Sequence, residues 1–262
     1  MNIVVCVKHV PDAQGDRAFG EDHLTDRSGD GLLSELDEYA VEEALKLTEG
    51  QDDARVTVLT MGPADAEEAV KKALQMGATE GVHVTDEALA GSDALSTALV
   101  LAEAVKKVDE VDLVLFGMSS TDGTMGVVPA MVAELLGVPA VTLANSLECS
   151  GETGGTITMK RDTAEATLTV EATLPAVVSV TDQINEPRYP SFKGIMAAKK
   201  KTIESWGLAE LGLDPALVGS ANAWAVADGA DKKPPREAGE IITDEGDGGA
   251  KLAEFLKQRK FI

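Results

Sequence analysis

The sequence predicts an α/β fold: a mostly parallel, Rossmann-like sheet with helices on both faces, a β-hairpin excursion and an extended C-terminal arm. Three observations carry this. Short apolar runs alternate with helical patterns five times, the order that builds a parallel sheet covered on both sides. Residues 112–137, DLVLFGMSSTDGTMGVVPAMVAELLG, contain a complete strand, loop and helix in one stretch. From Gly151 the pattern changes to GETGGTITMKR and ATLTVEATL, which reads as a two-stranded antiparallel excursion turning around 162–164.

In chain order, residues 2–7 (NIVVCV) form a buried strand by run length, and Pro11 bars its simple continuation. Residues 13–33 are polar and glycine-bearing, a long loop or a small hairpin. Asp37 precedes a helix carrying Tyr39, Ala40, Val41, Ala44, Leu45 and Leu47, with Gly50 just past it. Residues 55–60 are the second strand, and Asp65 is expected to cap a helix that Gly77 stops. Residues 81–84 are a short strand on whose half-buried face His83 is expected. Ser92 opens a helix to about Lys107. After the strand at 113–116 and the helix ending before Gly137 come strands at 139–143 and 175–180. Residues 183–190, with Pro187 and Pro190, are rigid and non-helical. The segment 191–201 is basic within an acidic chain, and Phe192, Ile195 and Met196 are expected to be incompletely buried. The remainder, 202–262, reads as an arm: a short helix within 208–217, an extended stretch at 228–249 and a terminal amphipathic helix at 250–258. The division is therefore 1–190, an α/β domain, and 191–262, a basic segment followed by an arm.

The loop at 117–124 holds small residues, hydroxyls and one carboxylate between a strand and a helix N-terminus. Open α/β sheets bind ligands at such a place, and its amides and the helix dipole suit a phosphate. The alternative is an ordinary turn with Ser and Asp as caps. Asp122 shares this choice: a helix cap, or a partner for ribose or water near phosphates. A parallel sheet adds a test, because the turns at 7–8, 61–62 and 117–124 should then meet at one rim.

Composition narrows the class. The 45 acidic and 23 basic residues leave a net charge of -22, which argues against nucleic acid or an anionic membrane surface as partner and suits a halophile-like, salt-rich cytoplasm. No run is long enough to span a membrane, and MNIVVCV lacks a signal-peptide pattern, so the expected location is cytoplasmic. Cys6 and Cys149 are far apart, Cys6 in an apolar strand as a core residue, and no metal-ligand spacing is visible. No nucleophile–base pair, GxxxxGK or GxGxxG motif is visible either, so no hydrolytic or transferase centre is expected.

VCVKHVPD, ELDEYAVEEALKL, VLTMGPADAEEAVKKALQMGAT, LVLFGMSSTDGT, LPAVVSV and INEPRYPSFKGIMAAKKK, in this order over residues 1–204, resemble the β subunit of electron transfer flavoproteins, including the FixA branch. The resemblance implies a heterodimer whose α subunit carries the redox-active FAD. The β subunit would hold AMP, or a second FAD in bifurcating members. Electrons would pass from acyl-CoA dehydrogenases of fatty acid β-oxidation, or other dehydrogenases, to a membrane quinone oxidoreductase, with no membrane insertion of its own. By position, Cys6, Ser34, Asp37, Met61, Gly117, Ser119, Asp122, Gly123, Thr124 and Met125 would line the nucleotide site. Asn185, Pro187, Arg188, Tyr189, Phe192, Ile195 and Met196 would dock the dehydrogenase, Phe192 taking the place of the inserting apolar residue. Its alternative is a core residue under the arm, and residues 199–201 either steer acidic partners or form a solvated face. Ser34-Glu35 stands where Asn-Pro is usual, and Met118-Ser119 where Lys-Gln is usual, removing a positive charge near the phosphates. Asp122-Gly123-Thr124 leans towards the FixA and bifurcating branch, hence FAD. From another class, the same sheet also suits a nucleotide-binding enzyme or stress-type ATP-binding protein.

Overall fold

The computed structural model describes every residue except Asp16, Glu152, Thr153, Glu237, Ala238 and Glu240. The chain divides into two units, Met1–Ala230 and Asp231–Ile262.

The first unit is built on a seven-stranded, wholly parallel sheet. Its strands are β1 (Asn2–Cys6), β4 (Arg55–Met61), β5 (Glu80–Val84), β6 (Leu113–Gly117), β7 (Ala140–Ala144), β11 (Ala176–Val180) and β12 (Ile203–Trp206), in spatial order β12-β5-β4-β1-β6-β11-β7. Apolar runs are read correctly as doubly covered strands because successive residues enter opposite cores. Ile3 and Val5 pack with helices α1 (Glu35–Thr48) and α2 (Glu67–Met76). Val4 and Cys6 pack with α3 (Ala94–Lys107) and α4 (Val128–Leu136).

Local signals explain some of the helix ends. Asp93 accepts from the Ser96 N–H at 2.9 Å to cap α3, rather than Ser92, and Gly137 closes α4 in the left-handed region at φ 70°. Asp65 is not the expected cap; it lies inside a 3-10 turn, Ala64–Ala66, and α2 has no side-chain cap. Asp37 lies inside α1, whose N-cap is Ser34.

Two small antiparallel sheets leave this frame. Strands β2 (His9–Pro11) and β3 (Gly31–Leu33) pair and close the excursion after β1 at its base. The later excursion has three strands rather than two: β8 (Ser146–Ser150), β9 (Thr156–Asp162) and β10 (Thr167–Thr173). The alternating burial of β9 places Ile157 and Met159 in the core.

Residues 203–218, expected in the arm, contribute here instead. Strand β12 pairs with β5, while Trp206, Leu208 of α6 (Leu208–Leu211) and Val218 are core residues. Helix α5 (Phe192–Ala198) has no buried residue of its own. It still lies close to α2, because a Cβ at Gly194 would come within 2.5 Å of the Gln75 carbonyl oxygen.

The second unit contains α7 (Gly248–Gln258), which buries none of its residues and exposes Leu252 and Phe255. The extended reading of 228–249 falls in part on residues outside those described. Among the described residues no helix is long and apolar enough to cross a membrane.

Candidate functional site

The sheet order reverses beside β1. From β1 the chain moves outward through β4 and β5, then returns to place β6 on β1's other side. The carboxyl ends of β1 and β6 therefore flank a topological switch point, where open α/β sheets bind their ligands. The expected convergence is present: Cys6 is in register with both Leu59 and Phe116, and the Val7 N–H donates to the Leu59 carbonyl at 2.9 Å.

Asp37 ties the two turns together. Its Oδ2 accepts from the Lys8 backbone N–H at 2.8 Å, and it also takes a backbone hydrogen bond from Gly117. Burial pushes its carboxyl up to about 7, against the pull of these two donors and of the Lys8 charge, with Asp122 adding to the rise. A Cβ at Gly117 would lie 2.5 Å from Asp37 Oδ1 and 2.6 Å from the Leu36 oxygen, so only glycine allows α1 to approach β6 this closely. Cys6 is a core residue, its thiol raised far above the ordinary range by burial and then by Asp37. Ser34 is fully buried, and its N–H donates to the Lys8 carbonyl at 2.9 Å.

The loop itself is held by cations. Lys8 Nζ donates to Asp122 at 3.0 Å, Arg27 pairs with the same carboxylate and reaches the His9 carbonyl at 3.3 Å, and Arg17 donates to the Thr121 carbonyl at 2.6 Å. Asp122 is thus not a helix cap. Helix α4 begins after Val127 without a side-chain cap, and the Asp122 side chain is only 1% exposed beneath Lys8 and Arg27. Burial raises its carboxyl, but the Lys8 charge and hydrogen bonds from Ser120, Arg27 and Lys8 outweigh that and hold it well below the usual carboxylate range. Gly123, Thr124 and Met125 are exposed beyond it, while Ser119 and Met61 are half-buried. Thr124 adopts φ 53°, a strained value of the kind that collects at binding loops. His83 is more buried than expected and bonds the Gly62 carbonyl at 3.0 Å through Nε2.

Three buried polar atoms here have no partner within the protein: Ser34 Oγ, Thr121 Oγ1 and Arg17 Nε. Buried groups of this kind normally find a partner, so these three atoms hold hydrogen-bonding capacity that the protein itself leaves unused. Arg17 and Arg27 are the functional candidates that the sequence concealed. They lie in a stretch without periodicity, and their only signal is that they are arginines in an acidic chain just after the first strand.

The electron transfer flavoprotein domain model matches residues 23–211. Over 267 aligned residues the chain is 46% identical to the electron transfer flavoprotein subunit beta of Mycobacterium tuberculosis (strain ATCC 25618 / H37Rv), covering 100% of this chain and 99% of that one. The chain belongs to the electron transfer flavoprotein β-subunit family. Its similarity extends to the corresponding subunit of Mycobacterium leprae, 47% identical over the same coverage. It also extends to the caffeyl-CoA reductase-Etf complex subunit CarD of Acetobacterium woodii, 31% identical over 100% of both chains.

In this electron transfer flavoprotein β chain, the second group of expected site residues separates into anchors and an exposed face. Asn185 Nδ2 donates to the Tyr39 carbonyl at 3.0 Å and to Glu43 at 2.9 Å. Arg188 makes a fork to Glu42 at 2.7 and 3.0 Å and reaches Glu49 at 2.9 Å. Both fasten the segment to α1, with Pro187 half-buried between them. Tyr189 (93% exposed) and Phe192 (80%) stand clear, with Ile195 and Met196 partly open beside them. Phe192 is therefore not a core residue. Lys201 donates to the Leu74, Gly77 and Ala78 carbonyls at the end of α2, and is a helix-end clamp rather than part of a solvated face.

Proposed function

We propose that this chain is the β subunit of a heterodimeric electron transfer flavoprotein. Its α partner carries the redox-active FAD, and the crevice between Lys8 and residues 117–124 holds an adenine nucleotide, AMP or a second FAD. The observation that carries the reading is the meeting of Lys8, Arg17 and Arg27 with three unpartnered buried polar atoms at the switch point of the sheet. A flavin supplies one- and two-electron chemistry when bound. The chain's own residues would bind and orient: Asp37 locks the two turns and Gly117 admits α1, and the hydroxyls and amides of the loop would meet the phosphates.

The exposed face of Tyr189, Phe192, Ile195 and Met196 supports docking of an acyl-CoA or other dehydrogenase, since a ring left in water gains about 1.5–3 kcal/mol on entering an apolar pocket. A membrane quinone oxidoreductase is the proposed acceptor, and the cytoplasm the proposed site of action. Residues 1–190, with the sheet and core contributions of 203–218, would form the nucleotide-binding part, 191–201 the docking segment, and the residues after 218 the arm that embraces α. No observation favours an ATP-binding enzyme. Co-purified with its partner, the complex should show flavin absorbance that bleaches when a substrate-reduced acyl-CoA dehydrogenase is added. A colourless complex overturns the reading.

A further inference from the structure

We propose that Lys8, Arg17 and Arg27 form an anion clamp for the phosphoryl oxygens of the nucleotide, aimed by the buried carboxylate of Asp122; this rests on the nucleotide reading above. All three cations come from the segment between β1 and α1, yet they act on the loop after β6, more than ninety residues further along the chain. Asp122 lies beneath two side chains that remain 43% and 40% exposed. An ammonium has three donors and a guanidinium five. Asp122 and the His9 carbonyl engage only part of that supply, so donors remain on two side chains that reach solvent. Arg17 presents a second signal: its Nε is buried without a partner, as is the hydroxyl of Thr121, the residue whose carbonyl it binds.

Residues 117–124 carry no Lys or Arg of their own, and the cations at this loop arrive instead from the segment between β1 and α1. A purely structural role, in which the arginines only pin the excursion to the loop, makes a different prediction. Pinning supports adenosine and AMP equally, whereas a clamp acts on the phosphate alone.

The test uses the heterodimer, dialysed free of nucleotide, with AMP and adenosine titrated by calorimetry into wild type and Arg17→Gln/Arg27→Gln. The clamp predicts a loss of about 10–100-fold in AMP affinity, as expected for charge-assisted hydrogen bonds, with adenosine unchanged. The dependence of AMP affinity on salt should also flatten. Equal losses for AMP and adenosine, or none for either, overturn the clamp while leaving the nucleotide site standing. A wild-type complex that binds neither AMP nor FAD overturns the site itself. If the double variant fails to assemble, the single variant Arg27→Gln carries the same comparison.

Discussion

Asp37 and Gly117 show how little freedom the crevice has at the level of single residues. The Asp37 carboxyl is raised by burial to about 7, from an unfolded value near 3.8. A folded-state value above the unfolded one means that its contribution to stability is fully present below about pH 4 and is lost as pH rises through about 7. The stability of wild type relative to Asp37→Asn should therefore fall between pH 5 and 7, by at most about 1.4 kcal/mol per unit, in urea melts run across that range. A difference that is flat with pH contradicts the assignment. Asp122 has the opposite sign: its support is present above the ordinary carboxylate range and is lost as pH falls below it. Gly117→Ala places a methyl group 2.5 Å from Asp37 Oδ1. We expect it to cost about 1–3 kcal/mol and to lower nucleotide content, read by denaturation and by ultraviolet spectra of the purified complex. Unchanged stability would show that α1 has room to withdraw.

At the scale of elements, α1 does two separate things. Its first turn supplies Asp37 beside Lys8 and Gly117, and its later turns supply Glu42 and Glu43, with Glu49 at its C-cap, to the segment that presents Tyr189 and Phe192. Two substitutions separate holding from docking. Arg188→Ala leaves the buried Glu42 without its fork, and should cost about 1–3 kcal/mol while also slowing electron transfer. Phe192→Ala changes an exposed side chain, so stability should stay within about 0.5 kcal/mol while the rate with a reduced dehydrogenase falls. Denaturation curves beside stopped-flow rates distinguish the two, and a Phe192→Ala that melts early contradicts the docking assignment. The anchors were not legible beforehand: Asn185 and Arg188 look like docking groups until their partners on a helix about 140 residues earlier are known. The same limit hid β12, whose four residues, IESW, carry only one fully buried position at the sheet edge. Central strands such as β6 and β11 were legible because burial on both faces makes every residue apolar or small.

For the whole molecule, the alternation of strand and helix was enough to expect a parallel sheet, and in that sheet β1 and β6 are neighbours, so the turns that follow them lie side by side. It could not place Arg17 and Arg27, which reach the loop after β6 through an irregular excursion that no periodicity describes. Charge acts at this scale too. A net charge of -22 repels itself in dilute buffer, and screening shortens that repulsion to about 3 Å in 1 M salt. The unfolding temperature of the heterodimer should rise between 0.1 and 2 M KCl, and a fall would contradict a salt-adapted design. The most direct test of the central claim is mass spectrometry of the nucleotides released when the purified heterodimer is denatured. The expected result is the α-subunit FAD together with one further adenine nucleotide per dimer, AMP or a second FAD. Release of a single FAD and nothing else would contradict a nucleotide site at the β1–β6 crevice.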